Sequence, residues 1–201
     1  MVIEIVTATS YPIDAISFAA GTCYGKDDYP GKRVRSCYKA GHMSVFEHAS
    51  VTFKASGISR ACSHQLVRHR LASFCQESQR YCKVDVGDEW YVTPPWFSEG
   101  ANQMLIDDYR QAMTVAAFNY LQGLQAGMKP EDARYMLPEA CKTNITVTMN
   151  VRELFHFLDM RQDKSAQWEI RELANMLEAS LRHYPAEQWG ELMALRDGDV
   201  R

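Results

Sequence analysis

The side chains best suited to chemistry are concentrated in one stretch, residues 68–81, which reads RHRLASFCQESQRY. It begins with Arg68, His69 and Arg70, and Ser78 follows after seven intervening residues. Guanidinium groups bind phosphates and carboxylates through a planar fork of donors, and imidazole, hydroxyl and amide groups add further hydrogen bonds. We therefore predict that this segment holds a planar, anionic ligand.

Two spacings extend this donor-rich character. Upstream, cationic or ionisable side chains recur every four residues, as on one stripe of a helix: Arg60, His64 and Arg68. Downstream, Gln76, Ser78 and Arg80 alternate, so they would share one side of an extended segment and could contact one ligand together. The alternative for the upstream set is a solvated basic helix face.

Two side chains in this segment could act as nucleophiles, Ser78 and Cys75. The motif holds no evident serine–histidine–acid relay, so we assign Ser78 to ligand binding and polarisation. Nearby arginines would favour the thiolate of Cys75, which leaves covalent attack as an alternative to an incidental thiol. Cys62, His64 and His69 match no common spacing of zinc ligands, and we predict no metal site.

Composition restricts the class of protein. A chain of 201 residues with 46% hydrophobic and 23% charged residues is typical of a globular domain that can bury its own core. The net charge of −3 argues against general nucleic-acid binding, which needs a basic surface. The chain shows no signal peptide and no apolar run of membrane-spanning length. Its six cysteines form no C-x-x-C pair, which predicts free thiols in the cytoplasm.

The elements that must position these groups follow from periodicity and end signals. Alternation and β-branched residues predict four strands: Val2 to Ala8, His48 to Ala55, Trp90 to Val92, and Asn144 to Met149. Helical spacing and capping residues predict seven helical segments: Ser10 to about Ala20, Lys32 to Ala40, Ser59 into the Arg68 segment, Ser98 to Ala126, a short piece from Pro130, Val151 to about Met160 with Asn150 as its N-cap, and one capped by Ser165. No repeat or linker interrupts the chain, which favours one α+β domain over residues 1–201.

The motif Arg68-His69-Arg70, seven residues, then Ser78 resembles the signature of the flavin-dependent thymidylate synthases. Further stretches resemble that family's landmarks and occur in its order: His42 to His48, Ile58 to Leu66, Glu131 to Pro138, Asn150 to Phe157 with Arg161, and Ala166 to Ile170. Together they cover roughly residues 2–181, and the ordered set is far more specific than the motif alone. Three positions depart from the family's usual residues: Phe74, Glu77 and His156.

The resemblance implies a single α+β domain in which helices pack on a central, largely antiparallel sheet. It implies an enzyme that makes dTMP from dUMP, with methylenetetrahydrofolate as carbon donor and FAD, reduced by NADPH, as hydride source. In this family no enzyme cysteine activates the uracil ring. The family further implies a homotetramer with shared active sites, in which Arg134 could serve the dUMP of a neighbouring subunit.

Residue roles are carried over by position. The FAD-binding positions are Ser44, Arg68, His69, Arg70, Gln76, Asn150, Arg152 and His156. The dUMP-binding positions are Gln65, Arg68, Gln76, Ser78, Gln79, Arg80, Arg134 and Arg161, with Arg80 and Arg134 as phosphate ligands. The catalytic candidates are Arg161 and Ser78. Arg161 lies on an otherwise apolar helix stripe and would stabilise negative charge on the uracil. The alternative is a cation stabilised by the C-terminal end of its helix.

Two rival functions use the same residues differently. A nucleotide-sensing or RNA-binding module would use the arginines without chemistry, but it would need an extended basic surface. A cysteine-dependent transferase would instead act through the thiolate of Cys75.

Overall fold

Four strands form the sheet in a computed structural model that describes residues 1–26, 31–97 and 102–197. They are β1 (Val2–Ala8), β2 (Ser50–Ser59), β3 (Ser73–Gln76) and β4 (Lys142–Asn150), in the order β1-β2-β4-β3. β1 and β2 are antiparallel, with Ile5 opposite Phe53 and a register shift between Ile5 and Thr7. Every second residue of β4 is buried, as the two-residue period of a strand requires. The predicted α+β class with an antiparallel sheet is confirmed.

Eight α-helices accompany the sheet in the described ranges. They are α1 (Pro12–Thr22), α2 (Lys32–Lys39), α3 (Arg60–Leu66), α4 (Gln103–Gln125), α5 (Pro130–Ala133), α6 (Val151–Gln162), α7 (Trp168–Arg182) and α8 (Glu187–Arg196). No helix in those ranges combines the length and the hydropathy needed to cross a membrane.

The chain forms two compact units, which we describe separately. The first comprises the described parts of residues 1–56, 65–75 and 146–201. Its core lies where α6 packs against α7. Leu154, Phe157 and Leu158 of α6 are fully buried, and so is the predicted stripe of α7: Ile170, Leu173, Leu177 and Leu181. Burial of these helix faces, rather than helix propensity alone, stabilises the two helices.

The second unit comprises the described parts of residues 57–64 and 76–145. Its apolar cluster is built on Trp90, Met113 and Cys141, with Tyr109 packed against it. The long helix α4 begins at an N-cap, Asn102, whose side chain accepts a hydrogen bond from the Met104 amide.

Two corrections concern the segment that carries the chemistry. The helix predicted to continue into the Arg68 segment ends at Leu66, because the Arg68 and His69 amides donate to carbonyls only three residues back. Arg68 therefore does not extend the stripe of Arg60 and His64. Likewise, the strand β3 ends at Gln76. The Tyr81 and Cys82 amides both donate to the Ser78 carbonyl, so a turn follows and the predicted alternation through Ser78 and Arg80 is wrong.

The other differences lie at element ends. His48 belongs to a 3₁₀ helix (Met43–His48), so that β2 begins at Ser50. The strand predicted at Trp90 to Val92 is reduced to one bridge between Tyr91 and Cys141. Ser165 does not cap α7, because its hydroxyl donates to Asp163 and the Gln167 side chain takes the cap position. Ser98, the predicted start of α4, lies outside the described residues, within which α4 begins at Gln103.

Candidate functional site

One candidate site in the first unit is a cavity of about 690 Å³. Three guanidinium side chains line it, from Arg68, Arg70 and Arg152. Tyr38 and Phe155 also line it and contact each other edge-on, with ring centroids 5.6 Å apart. The cavity therefore combines three guanidinium groups, beside the carboxylates of Glu153 and Asp159, with an aromatic surface. This arrangement suits a large anionic ligand that carries a planar ring.

The turn after α3 sends consecutive residues of the motif to different environments. Arg68 and Arg70 are exposed and line the cavity, whereas His69 between them is 4% exposed. Its ring packs edge-on against Phe157, with centroids 5.0 Å apart. The three residues predicted to hold one ligand thus line one cavity, with the two guanidinium groups exposed and the imidazole buried.

A chain of hydrogen bonds fixes the state of His69. Its Nδ1 lies 2.9 Å from Glu153 Oε1, and Arg161 Nε donates to its Nε2 at 2.9 Å. Arginine is always a donor, so Nε2 must be unprotonated and the single ring proton must lie on Nδ1, which donates to Glu153. Burial, more than the nearby charge of Arg161, lowers the pKa of His69 from its usual value, although the hydrogen bond to Glu153 opposes this. His69 is therefore a neutral, Nδ1-protonated imidazole.

Arg161 has a second anchor. Its Nη2 donates to the Gln65 carbonyl at 3.3 Å. Gln65, predicted from the resemblance as a dUMP ligand, here contacts Arg161 through its main chain. The structure also agrees with the predicted alternative for Arg161, a cation stabilised by the C-terminal end of its helix. Arg161 lies in the last turn of α6.

The first two turns of α6 carry two of the predicted FAD ligands that line the cavity. Arg152 and His156, predicted to share a face, both line the cavity, and Arg152 Nη1 donates to Glu47 at 2.6 Å. Asn150 caps this helix, since its Oδ1 accepts the Glu153 amide at 2.9 Å. Neither Asn150 nor the exposed Ser44 lines the cavity.

In the second unit, the two predicted phosphate ligands meet at one residue. Arg80 Nε donates to the Glu131 carboxylate at 3.2 Å, and Arg134 Nε donates to the Glu131 carbonyl at 3.0 Å. The sequence did not single out Glu131 for this role. Arg134 also lines a smaller cavity of about 230 Å³ together with Arg60 and His64.

The other predicted dUMP ligands of the second unit have polar partners. Gln76 Nε2 donates to Ser63 Oγ at 2.9 Å, and Gln79 Nε2 to the sulfur of Cys141 at 3.5 Å. Ser78 Oγ accepts the Arg80 amide at 3.3 Å. Within the described residues, no histidine or carboxylate hydrogen-bonds to this hydroxyl, which agrees with a binding rather than a nucleophilic serine.

Sequence reasoning missed Glu153, which is 3% exposed and holds His69. Glu153 lies three residues after Asn150, a spacing that is typical of a helix capping pattern. That pattern gives no sign of its contact with His69, 84 positions away. Together with His156, these two side chains offer ligand atoms within 4.8 Å of one another. Both ring nitrogens of His69 are already hydrogen-bonded, so the grouping is explained without an ion.

Comparisons with known proteins identify relatives of this chain. The family described as thymidylate synthase complementing protein matches residues 4–186. A flavin-dependent thymidylate synthase of Pyrococcus furiosus is 37% identical over 207 residues, 94% of this chain and 84% of that protein. One from Geobacter sulfurreducens is 44% identical over 185 residues, 87% of this chain and 79% of that protein. For the Thermococcus kodakarensis enzyme, 44% identical over 158 residues, the match spans only 64% of its length.

Solved structures agree with the sequence relatives. The flavin-dependent thymidylate synthase of Helicobacter pylori, complexed with FAD and dUMP, superposes with a TM-score of 0.78 at 26% identity and covers 100% of both chains. A UMP/dUMP methylase of Streptomyces cacaoi, bound with 5-Br dUMP, gives a TM-score of 0.78 at 25% identity over 98% of this chain and 93% of that one.

Proposed function

We propose that this chain, which belongs to the flavin-dependent thymidylate synthase family, methylates dUMP to dTMP with FAD as its cofactor. The observation that carries the proposal is the cavity of about 690 Å³ lined by Arg68, Arg70 and Arg152, in a chain whose family match extends over residues 4–186. A nucleotide cofactor with a pyrophosphate and a flat ring system needs both charge and an aromatic wall, and this cavity provides them.

The residues of the first unit fit FAD. Arg68, Arg70 and Arg152 would bind its pyrophosphate, while His156 and Tyr38 offer ring surfaces in the same cavity. His69 is buried, so it would contribute to FAD binding mainly as part of the cavity wall. Asn150 would contribute by capping the helix α6. When bound, FAD supplies the redox chemistry of methyl formation, and the protein supplies binding and electrostatics.

The residues of the second unit are proposed to hold dUMP. Arg80 and Arg134 would bind its phosphate, and for this the contact between Arg80 and Glu131 must open. Gln76, Ser78 and Gln79 would supply hydrogen bonds to its sugar and base. Gln65 remains a proposed ligand from the resemblance.

Arg161 is the proposed catalytic group. A guanidinium directed at the uracil would stabilise negative charge that develops on the ring during carbon–carbon bond formation, and such preorganised charge commonly contributes more to catalysis than any other effect. Its two hydrogen bonds, to His69 and to Gln65, leave other guanidinium donors for the substrate.

No enzyme cysteine is required by this proposal. Cys75 is exposed, and no other group of the described chain is seen to form a hydrogen bond with its thiol. Cys75→Ser should therefore retain near-normal turnover, whereas a cysteine-dependent transferase would lose it.

The co-substrates and assembly are further proposals from family membership. We propose methylenetetrahydrofolate as the carbon donor, NADPH as the reductant, and a homotetramer with shared active sites. Met104, Val115 and Phe118 lie on one face of α4 and are 49–63% exposed, which favours a partner on that face. Light scattering should give about four times the 23.0 kDa chain mass; a monomer would contradict the assembly.

The cytoplasm is the proposed location. The described residues contain six cysteines and no disulfide, which is typical of a protein in a reducing compartment.

The decisive experiment measures tritium release from dUMP labelled at ring carbon 5. We expect the purified protein to bind FAD and turn yellow, and to release tritium only when methylenetetrahydrofolate and NADPH are both present. Arg161→Met should bind FAD but lose activity by a factor on the order of 100 to 1,000. A protein that cannot be reconstituted with FAD, or a wild-type protein that releases no tritium, would refute the proposed function.

A further inference from the structure

We propose that Glu153 is a positioning residue, which holds the guanidinium of Arg161 in place by fixing the tautomer of His69. This inference rests on the proposed function, because it assumes that Arg161 acts on the substrate. Glu153 itself is not proposed to touch substrate or cofactor. It would affect Arg161 only through the imidazole of His69.

The first step is the hold on Arg161. Nε donates to His69 Nε2 at 2.9 Å, and Nη2 donates to the Gln65 carbonyl at 3.3 Å. These two contacts engage one edge of a planar, five-donor group and leave the other donors available. The orientation of the available edge is thus set by two acceptors, one of which is a histidine nitrogen.

The second step is the dependence of that acceptor on Glu153. A neutral imidazole carries one proton, and Nε2 can accept from Arg161 only if the proton lies on Nδ1. Glu153 Oε1, 2.9 Å from Nδ1, is the acceptor that stabilises this tautomer. The opposite tautomer, or a protonated ring, would direct an N–H at the Arg161 Nε–H and force the two side chains apart.

The third step is the rigidity of Glu153. Its side chain is 3% exposed, and the His69 side chain is 2% exposed, so water cannot readily replace either partner. Its amide donates to Asn150 Oδ1 at 2.9 Å, which fixes its main chain in the first turn of α6. Arg161 lies in the last turn of the same helix. One rigid helix therefore carries both ends of the hydrogen-bond chain, with His69 joining them.

A series of substitutions at Glu153 tests this role kinetically. Glu153→Gln keeps the size and an acceptor oxygen, whereas Glu153→Met keeps the size and removes every acceptor. We expect Glu153→Met to lower kcat by about 100-fold, because a small displacement of a catalytic group has effects of that order. Glu153→Gln should retain most of the wild-type kcat. FAD affinity should change little in either, since Arg68, Arg70 and Arg152 remain.

A double-mutant cycle separates positioning from general structural damage. In an Arg161→Lys background the guanidinium is absent, so Glu153→Met should reduce kcat far less than in the wild type. An equal fold-loss in both backgrounds, or wild-type kcat in Glu153→Met, would overturn the proposal. If the Met variant does not fold, Glu153→Asp gives the same test, because it keeps the charge and withdraws the carboxylate by one methylene.

A spectroscopic measurement tests the hydrogen-bond chain without activity. In protein labelled with 15N-histidine, the His69 signals, assigned with His69→Gln, should show a protonated Nδ1 and an unprotonated Nε2. Glu153→Met should change this pattern, and Glu178→Gln should not, because Glu178 is a half-buried carboxylate paired with Arg182 instead. An unchanged pattern in Glu153→Met would overturn the proposal. If the wild type makes no dTMP, the proposed function fails while the spectra still report on the chain; if it makes dTMP and the Glu153 variants match it, only the positioning role fails.

Discussion

Asn150 allows its two predicted roles, helix cap and FAD ligand, to be separated by substitution. Its Oδ1 accepts the Glu153 amide at 2.9 Å and satisfies a main-chain donor that otherwise has no partner within the helix. Loss of such a cap costs about 1 kcal/mol, and for a domain of this length that lowers Tm by roughly 2–4 °C. Asn150→Ala should therefore reduce the free energy of unfolding by about 1 kcal/mol.

The aspartate variant distinguishes the cap from the ligand. Asn150→Asp keeps an acceptor oxygen and adds a negative charge at the N-terminus of α6, where the helix dipole favours it. Its stability should equal or exceed that of the wild type. The same charge would repel the pyrophosphate of FAD, so the aspartate variant should bind FAD more weakly if Asn150 lies at the cofactor.

The assay is urea denaturation of flavin-free protein, followed by circular dichroism at one protein concentration, because assembly would make stability concentration-dependent. Asn102→Ala is the matched control, since Asn102 caps α4 through the same kind of bond, to the Met104 amide at 3.0 Å. It should lose similar stability and keep FAD affinity. The capping account is refuted if Asn150→Ala is as stable as the wild type, or if Asn150→Asp loses as much stability as Asn150→Ala.

Two further predictions follow from contacts in each unit. Glu131→Gln removes the carboxylate that holds Arg80 Nε at 3.2 Å; because this pair is 54% and 37% exposed, it is worth about 0–1 kcal/mol, and its loss should lower KM for dUMP by up to about fivefold. The gain should shrink in high salt, and a raised KM would mean that Glu131 orients Arg80 rather than competes for it. The second prediction concerns acid. Burial, more than the charge of Arg161, lowers the pKa of His69 below 6.5, against the hydrogen bond to Glu153. The unfolded chain therefore takes up this proton first, so the stability that neutral His69 contributes is complete above about pH 6.5 and is lost as the pH falls through the lowered pKa. Denaturant titrations of the wild type and His69→Gln between pH 7.5 and 5 should diverge in that window, and parallel curves would contradict the assignment.

Much of the fold was predictable because its signals are local. The buried stripe of α7, the cap at Asn150 and the strand β1 follow from periodicity and from side-chain chemistry within a few residues. The failures occurred where two local hydrogen-bonding patterns compete and residue type alone does not choose between them. Gln167 rather than Ser165 caps α7, although serine is the more usual cap residue.

In the candidate sites, too, some features were predictable from the sequence and others were not. The motif from Arg68 to Arg70 and the pair Arg152 and His156 were identifiable from residue type and spacing together with the resemblance, and all of them line one cavity. The ends of α3 and β3 were not identifiable, because both elements give way to turns whose hydrogen bonds close on main-chain carbonyls only three or four residues back. For that reason the predicted stripe through Arg68 and the predicted alternation through Ser78 were wrong.

The sequence by itself determined the class of fold, the family and the inventory of groups that can bind a phosphate or a flat ring, because those depend on residue type and order. Only the tertiary structure decided which neighbour each group has. It buried His69 while exposing Arg68 and Arg70, and it paired His69 with Glu153, 84 residues away. The physical reason is that the position of the proton on the His69 imidazole, and with it the hydrogen bond that holds Arg161, depends on the partners that folding brings within hydrogen-bonding distance. No local pattern encodes those partners.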